Sequence, residues 1–510
     1  MRNIISRVIC VTFTILLICS CSGEHDAKKK VREGDVGKKL PAEPELLIPD
    51  NANILSDISD SLQNKNKSHS GIRRTSKLKI FKGDLPALQK RRYIRVLTRN
   101  NPACYYIHRG VSMGFEYELI KKFAEKNNLE VVMIVPPEWD DMITWLLEGR
   151  GDIIAGSMAL TKRRKNIPGL AFGKTYSSLK QAIFCRKNDN TIKTAADLKG
   201  RKVYVRKNSV YWDTLSELRS KGVQFTISEA PQTMETYEII EAVKKGKFDT
   251  TLADIRFINL STAGKSMATP IIIGDELRYT WAVRKENKQL LHAVNKFFNS
   301  EYRGTFYNII YKRYFNSSRN ADKYNDSATE KGAYKFSGYD KIIKKYADKY
   351  NLPWYLIAAQ IFQESRFNPK AKSWCGTIGL MQLTETTARE MQCNDIHNSE
   401  ENIKAGVKYM HHLMQRIPGN ITDFDRICFA LASYNGGYGH LVDARKLSIR
   451  QKLNPDIWFN NVEKAMKLLS KKQYYSKAKY GYCRSKEIVN YVKEISLRSR
   501  EYKQALESEK

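Results

Sequence analysis

The 510-residue chain has no apolar run long enough to cross a bilayer, no CxxC pair, and few acidic residues for its size. Each shortage excludes something. Without about 20 consecutive apolar residues there is no spanning helix, and so no polytopic membrane protein. His411 and His412 are adjacent rather than four apart, and no cysteine spacing converges on an ion, so neither metal nor cofactor is expected. With 54 Asp and Glu against 87 Lys and Arg, the net charge is +33. That points to an acidic partner: nucleic acid, anionic lipid or an anionic polymer. What is present is apolar mass: 42% hydrophobic residues build sizeable cores, which excludes a wholly disordered polyelectrolyte. At roughly 150 residues per domain, the length suggests two or three domains.

The N-terminus gives an address. Arg2 and Arg7 precede an apolar run from Val8 to Cys19, about a dozen residues in length, which suits a signal-peptide core. It leads into Ile18-Cys19-Ser20-Cys21, followed by Ser22. An aliphatic residue, small residues and then Cys resemble the bacterial lipobox, whose cysteine is acylated and becomes the mature N-terminus. The alternative is an ordinary signal peptide cut nearby. On the lipobox reading, 1–21 is the signal peptide and Cys21 carries the lipid. Ser22 at the sorting position then implies the outer membrane, with the protein facing the periplasm. On either reading the protein is exported, and nucleic acid drops out as a partner. Residues 22–78, rich in Lys, Asn, Ser, Asp and Pro, read as a flexible tether. Cys104, Cys185, Cys375, Cys393, Cys428 and Cys483 remain beyond the anchor; an oxidising compartment permits disulfides, but the spacings do not give a pairing.

From residue 93 short β-branched runs alternate with amphipathic stretches. The pattern predicts strands at 93–98, 130–135 and 152–156 and helices at 114–127 and 139–148, then recurs over 203–254. This is the signature of parallel βαβ units. Two such lobes in tandem bind a ligand in the cleft between them. A polar linker over 319–333 follows. Beyond it, helical spacing at 338–351, 353–367, 384–391, 402–415 and 424–434, without clear strands, predicts an all-α domain over 334–510.

Five segments of the first unit, 79–318, carry a resemblance: GFEYEL (114–119), DIIAGSMALTKRR (152–164), LKGRKVYVRKNS (198–209), GKFDTTLAD (246–254) and YKRYF (311–315). In this order they resemble the family 3 bacterial extracellular solute-binding proteins, which bind amino acids and related solutes. A zwitterion needs a guanidinium for its carboxylate and a carboxylate for its ammonium, and Arg offers a planar bidentate fork. The resemblance assigns these roles to Arg164, three residues after Thr161, and to Asp254. Ser209, before a helix, adds backbone N–H groups. Ala159 stands where the family has a hydroxyl residue, and Asn208 where it has Gly. Arg164 is otherwise one more surface cation in the run 162–165.

The C-terminal unit reads IFQESRFNP (361–369), GTIGLMQLT (376–384), ASYNGG (432–437) and KEIVNYV (486–492). These resemble the successive motifs of the soluble-lytic-transglycosylase family of murein-cleaving enzymes. Glu364 closes an apolar helix, where burial raises a carboxyl pKa into the range of a general acid. Glycosidases ordinarily use two carboxylates, and no second acid occurs in this motif. In the family one Glu protonates the glycosidic oxygen and then deprotonates the sugar's own C6 hydroxyl, leaving a 1,6-anhydromuramoyl end. The resemblance further implies that Ser365 orients the acid, Gln382 hydrogen-bonds the glycan, the Met381 backbone lines the cleft, and Tyr434 and Asn435 position acid and sugar. Glu487 and Tyr491 match the last motif, Glu487 either as a second acid or as a positioning group, and both equally as packing residues.

The expectation is therefore a two-lobed α/β periplasmic-binding-protein fold followed by an all-α, lysozyme-like domain. The function expected is cleavage of the β-1,4 bond between N-acetylmuramic acid and N-acetylglucosamine in peptidoglycan strands. A small ligand of the first unit, an amino acid or a muropeptide, would regulate it. Two alternatives stand: a hydrolase of goose-lysozyme type, and a non-catalytic solute- or glycan-binding lipoprotein.

Overall fold

The computed structural model describes residues 80–187, 189, 191–257, 271–316, 323–324, 335–419 and 421–507. The leader, Cys21, the tether and nearly all of the expected linker lie outside the described residues. The chain forms two units, an α/β unit and a helical unit, and residues 496–507 group with the α/β unit.

The α/β unit contains twelve described strands. They are β1 (Tyr93–Leu97), β2 (Tyr106–His108), β3 (Val111–Met113), β4 (Glu130–Ile134), β5 (Ile153–Ile154), β6 (Leu170–Phe172), β7 (Ser177–Phe184), β8 (Lys202–Arg206), β9 (Thr226–Ala230), β10 (Thr251–Asp254), β11 (Ile271–Tyr279) and β12 (Ala282–Arg284). The first lobe is a five-stranded sheet in the order β4-β1-β5-β12-β6. β1 is buried at all five residues, as a central strand covered on both faces must be. Its pairings with β4 and β5 are parallel, as the sequence predicts. β12 pairs antiparallel with β5 and β6, because the chain returns to this sheet from the other lobe.

The second lobe departs further from the sequence pattern. β7 lies between β10 and β11, antiparallel to both, while β8 pairs in parallel with β9. The reason is topological. A long strand that enters the lobe and a long strand that leaves it run side by side, which no local periodicity encodes. The two crossing segments touch through Gly173 N to Trp281 O, 2.9 Å, and Tyr176 N to Tyr279 O, 3.0 Å. Buried Glu116, on the helix Phe115–Lys126, fixes this junction: it accepts from Trp281 Nε1 at 2.8 Å, from Ser157 N at 2.9 Å and from the Tyr176 hydroxyl.

The helical unit is organised round the helix Trp354–Ser365, whose Ile357, Ala358, Ala359 and Ile361 are fully buried. Small alanines let neighbouring helices approach closely. Around it stand Ser399–Gln415, Asp423–Gly436 and Tyr438–Arg450, with the long C-terminal helix Ser485–Glu507. Among the described residues no helix is long and apolar enough to cross a membrane.

Candidate active site and ligand cavity

Glu364 is the penultimate residue of its helix, and the chain turns sharply after it. Arg366 and Phe367 both take left-handed backbone angles, φ 52° and 61°. For non-glycine residues this costs of order 1 kcal/mol each, and it persists only where the surroundings impose it. Glu364 is only 8% exposed. Burial pushes its pKa up to about 8, while the Tyr491 phenol, donating to Oε1 at 2.5 Å, pulls it back down. The helix C-terminus adds a partial negative charge that also disfavours the carboxylate.

Tyr491 comes from the C-terminal helix, 127 residues away in sequence, and is itself held by Gln360 Nε2 at 3.3 Å, one turn before the acid. Burial beside Glu364 and Tyr434 drives its own pKa well above the ordinary phenol value. Tyr434 donates to the Met381 carbonyl at 2.8 Å, and its pKa is raised by burial and by the nearby Glu364. The geometry thus gathers Glu364, Met381, Tyr434 and Tyr491 round one acid. Ser365 faces away from it and donates to Leu380 O at 2.8 Å, tying the helix end to the loop before Met381. Gln382, at φ 48°, spends its amide inside that loop, accepting from Thr377 Oγ1 and donating to Gly379 O and Ala371 O. Asn435 is half-buried one residue beyond Tyr434, and Glu487 is exposed on the first turn of its helix.

One residue escaped the sequence reading. Asn402, buried on the helix Ser399–Gln415, accepts from Met381 N at 2.9 Å and donates to Ile378 O and Ile396 O, each at 3.0 Å. It clamps the loop that presents Met381 and Gln382. Gly379 is required opposite it, at φ 83°, since a Cβ there would sit 2.3 Å from the Asn402 amide. An isolated Asn inside a helix gives no signal in sequence. A polar residue on the buried stripe of an amphipathic helix would have been the clue.

The α/β unit holds a cavity of about 460 Å³ lined by residues of both lobes. Arg164, Ser209 and Asp254 line it and Thr161 does not, and their engagements differ. Thr161 caps the short helix Lys162–Lys165, accepting from Arg164 N. Arg164 is buried and donates to the Ala159 carbonyl at 2.8 Å, so it is not a solvated surface cation. Ser209 caps Val210–Ser220, accepting from Trp212 N at 3.2 Å. Asp254 is already occupied: Arg256 grips it through Nε and Nη2 at 2.9 and 3.0 Å, and the hydroxyls of Tyr279 and Tyr211 donate at 2.8 and 3.2 Å. Arg256 was not singled out from sequence, where it is one more cation in a basic chain. Among the described residues no group of three or more His, Cys, Asp or Glu could hold a metal ion.

Comparison with known proteins agrees with both units. The Transglycosylase SLT domain family matches residues 341–457, and the family of bacterial extracellular solute-binding proteins, family 3, matches 94–317. The chain is 36% identical over 404 residues to membrane-bound lytic murein transglycosylase F of Desulfosudis oleivorans, covering 79% of this chain and 88% of that protein. The protein of the same name from Pseudomonas fluorescens strain Pf0-1 is 32% identical over 416 residues, covering 79% and 83%. That from Serratia proteamaculans is 32% identical over 418 residues, covering 81% and 84%. Among solved structures, an ancestral arginine-binding protein bound to arginine is 26% identical and covers 44% of this chain and 99% of its own, with a TM-score of 0.39.

Proposed function

Because the chain belongs to the membrane-bound lytic murein transglycosylase F family, we propose that Glu364 is the acid and base of a lytic cleavage of peptidoglycan strands. The observation that carries this reading is a buried carboxyl with its pKa raised to about 8, whose shift has no contribution from a second carboxylate. A hydrolase working with two acids needs the other within several ångströms. The one candidate in the last motif, Glu487, is exposed and does not perturb Glu364.

The steps follow from that charge state. Below pH 8 Glu364 is protonated and gives its proton to the glycosidic oxygen as the bond to C1 of the muramoyl residue breaks. The carboxylate left behind is stabilised by the Tyr491 donor. It then takes the proton of the C6 hydroxyl of the same sugar as that oxygen bonds to C1, closing the 1,6-anhydro ring. Glu364 ends protonated, and no water is consumed. Met381 and Asn435 belong to the glycan cleft, Gln382 shapes the loop that presents it, Tyr491 holds the acid, Tyr434 holds the Met381 carbonyl, and Ser365 fixes the helix end. Mass spectrometry of products from purified sacculi tests this. Anhydromuropeptides are expected from the native protein, with a loss of roughly 10²–10⁴-fold in Glu364→Gln. Products heavier by one water would sink the lyase reading in favour of a hydrolase.

The relatives are named membrane-bound, and this chain shares their family. We place it on the envelope membrane through acylation of Cys21, with the outer membrane as its site. Support comes from the Ile18-Cys19-Ser20-Cys21 sequence. Cys21→Ala is expected to move the protein from the membrane to the soluble fraction; unchanged fractionation would remove the lipid from the account. The α/β unit, by its family, binds a small amino-acid-like ligand in the cavity between its lobes.

A further inference from the structure

The wall of the cavity in the α/β unit holds buried donors without partners, while its two buried carboxylates are already engaged. An ionised carboxylate has about four lone-pair positions. Those of Asp254 are taken by Arg256 Nε and Nη2, by two phenols and by Arg256 N at 3.2 Å. Glu235, the other buried acid of the wall, is paired with Arg99 at 2.7 Å and accepts from Asn101 Nδ2 at 3.0 Å. On the donor side, Arg164 and Arg206 are 8% and 5% exposed and form no ion pair among the described residues. Arg164 donates to the Ala159 carbonyl, and Arg206 to the Met234 carbonyl and the Thr236 hydroxyl. Two further buried donors in the wall, Arg256 Nη1 and Trp139 Nε1, have no hydrogen-bond partner. Both free guanidinium groups lie over the same indole, Arg164 at 5.9 Å and Arg206 at 5.4 Å from the Trp139 ring centre.

A zwitterion fits this wall poorly. Its carboxylate has partners, but the two buried carboxylates that could pair with its ammonium, Asp254 and Glu235, are already taken. Asp140, the remaining acid of the lining, is exposed and already accepts from Asn208 Nδ2 at 3.2 Å. Burial lowers the pKa of both guanidinium groups, Arg164 to about 10; the acids that oppose this shift, Asp213 and Asp140 for Arg164 and Glu235 and Glu238 for Arg206, form no ion pair with them among the described residues. Uncompensated buried charge is costly, and a ligand that supplies the missing anions recovers that cost.

Resting on the reading that this unit binds a small ligand, the geometry points to a small dicarboxylate as its occupant, one carboxylate on Arg164 and the other on Arg206, with the connecting carbons on Trp139. Arg256 is the specificity-determining residue: by occupying Asp254 it closes the subsite that would take an ammonium.

Calorimetric titration of the full chain with glutarate, butyrate and L-norvaline tests this. These probes present two carboxylates, one carboxylate, and one carboxylate with an ammonium on a similar carbon chain. Glutarate is expected to bind at least about tenfold more tightly than either of the others, and Arg206→Gln to remove that advantage. In Arg256→Met the buried Asp254 is left without its partner, so L-norvaline should raise its melting temperature more than that of the native protein. Because that variant strips a buried ion pair, Arg206→Gln serves as the independent arm should it fail to fold. L-norvaline binding as tightly as glutarate overturns the dicarboxylate while leaving a small-ligand site in place. Failure of the series from succinate to adipate, together with both single-carboxylate probes, overturns the small-ligand reading as well.

Discussion

At the scale of single residues, the proposed role of Glu364 is an argument about solvation. A carboxyl at the end of an apolar helix loses hydration, and its proton is retained to about pH 8. The phenol of Tyr491 opposes this by favouring the ionised form. Activity on sacculi should therefore decline as pH rises through about 8, as the acid loses its proton. In Tyr491→Phe the opposing hydrogen bond is gone, so the alkaline limb should move to higher pH while kcat falls about tenfold, the carboxylate formed after protonation having lost its donor. A pH–rate profile of the two proteins reads both effects; an unmoved limb would reduce Tyr491 to packing. Glu364 was singled out by its place in the motif IFQESRFNP, since an isolated acid at the end of an apolar helix is ordinarily a solvated charge. The state of Asp254 was not legible in the same way. Arg256 stands two residues on, yet nothing in a basic sequence marks which arginine turns inward.

At the scale of elements, the boundaries of helices with strong 3.6-residue spacing were readable, and the pairing of elements was not. The helix expected at 353–367 is Trp354–Ser365, with Pro353 at the N-cap. The strand expected at 93–98 is Tyr93–Leu97. The antiparallel setting of β7, β10 and β11 was hidden, because strand direction depends on where the chain comes from. The C-terminal helix shows how packing finishes the site. Gly436, on the helix carrying Tyr434, lies so close to Ile488 that an added Cβ would come within 2.0 Å of its Cδ1. Ile488 is buried, three residues before Tyr491, and has little room to retreat. Gly436→Ala should therefore cost about 1–3 kcal/mol in denaturant unfolding and lower kcat by shifting Tyr491 relative to the acid. Unchanged stability and turnover would mean that the contact relaxes freely.

At the scale of the whole molecule, two units carry separate chemistries on one chain, and the C-terminal helix contributes residues to each. Its residues up to Ile495 belong with the helical unit, and Ser496 onward with the α/β unit. There Tyr502 stacks on Phe336 with ring centres 4.1 Å apart and donates to Gly110 O at 3.0 Å, in the turn between β2 and β3. Tyr502 is fully buried, so Tyr502→Ala should destabilise this region by roughly 3–5 kcal/mol. Hydrogen exchange is the direct measure: amides of β2 and β3 should exchange faster in the variant, and equal protection would show that the hairpin stands without the helix.

The sequence by itself determined the two-unit organisation, the apolar helix that ends in Glu364, and the excess of basic charge, since composition, periodicity and contiguous motifs are local properties. Tertiary structure alone decided which distant groups meet. It brought Tyr491 to an acid 127 residues earlier, set Asn402 to clamp the Met381 loop, and closed Asp254 with Arg256 while leaving Arg164 and Arg206 without an ion pair among the described residues. These are matters of burial and of which donors face which acceptors, and both come into being only when the chain has packed.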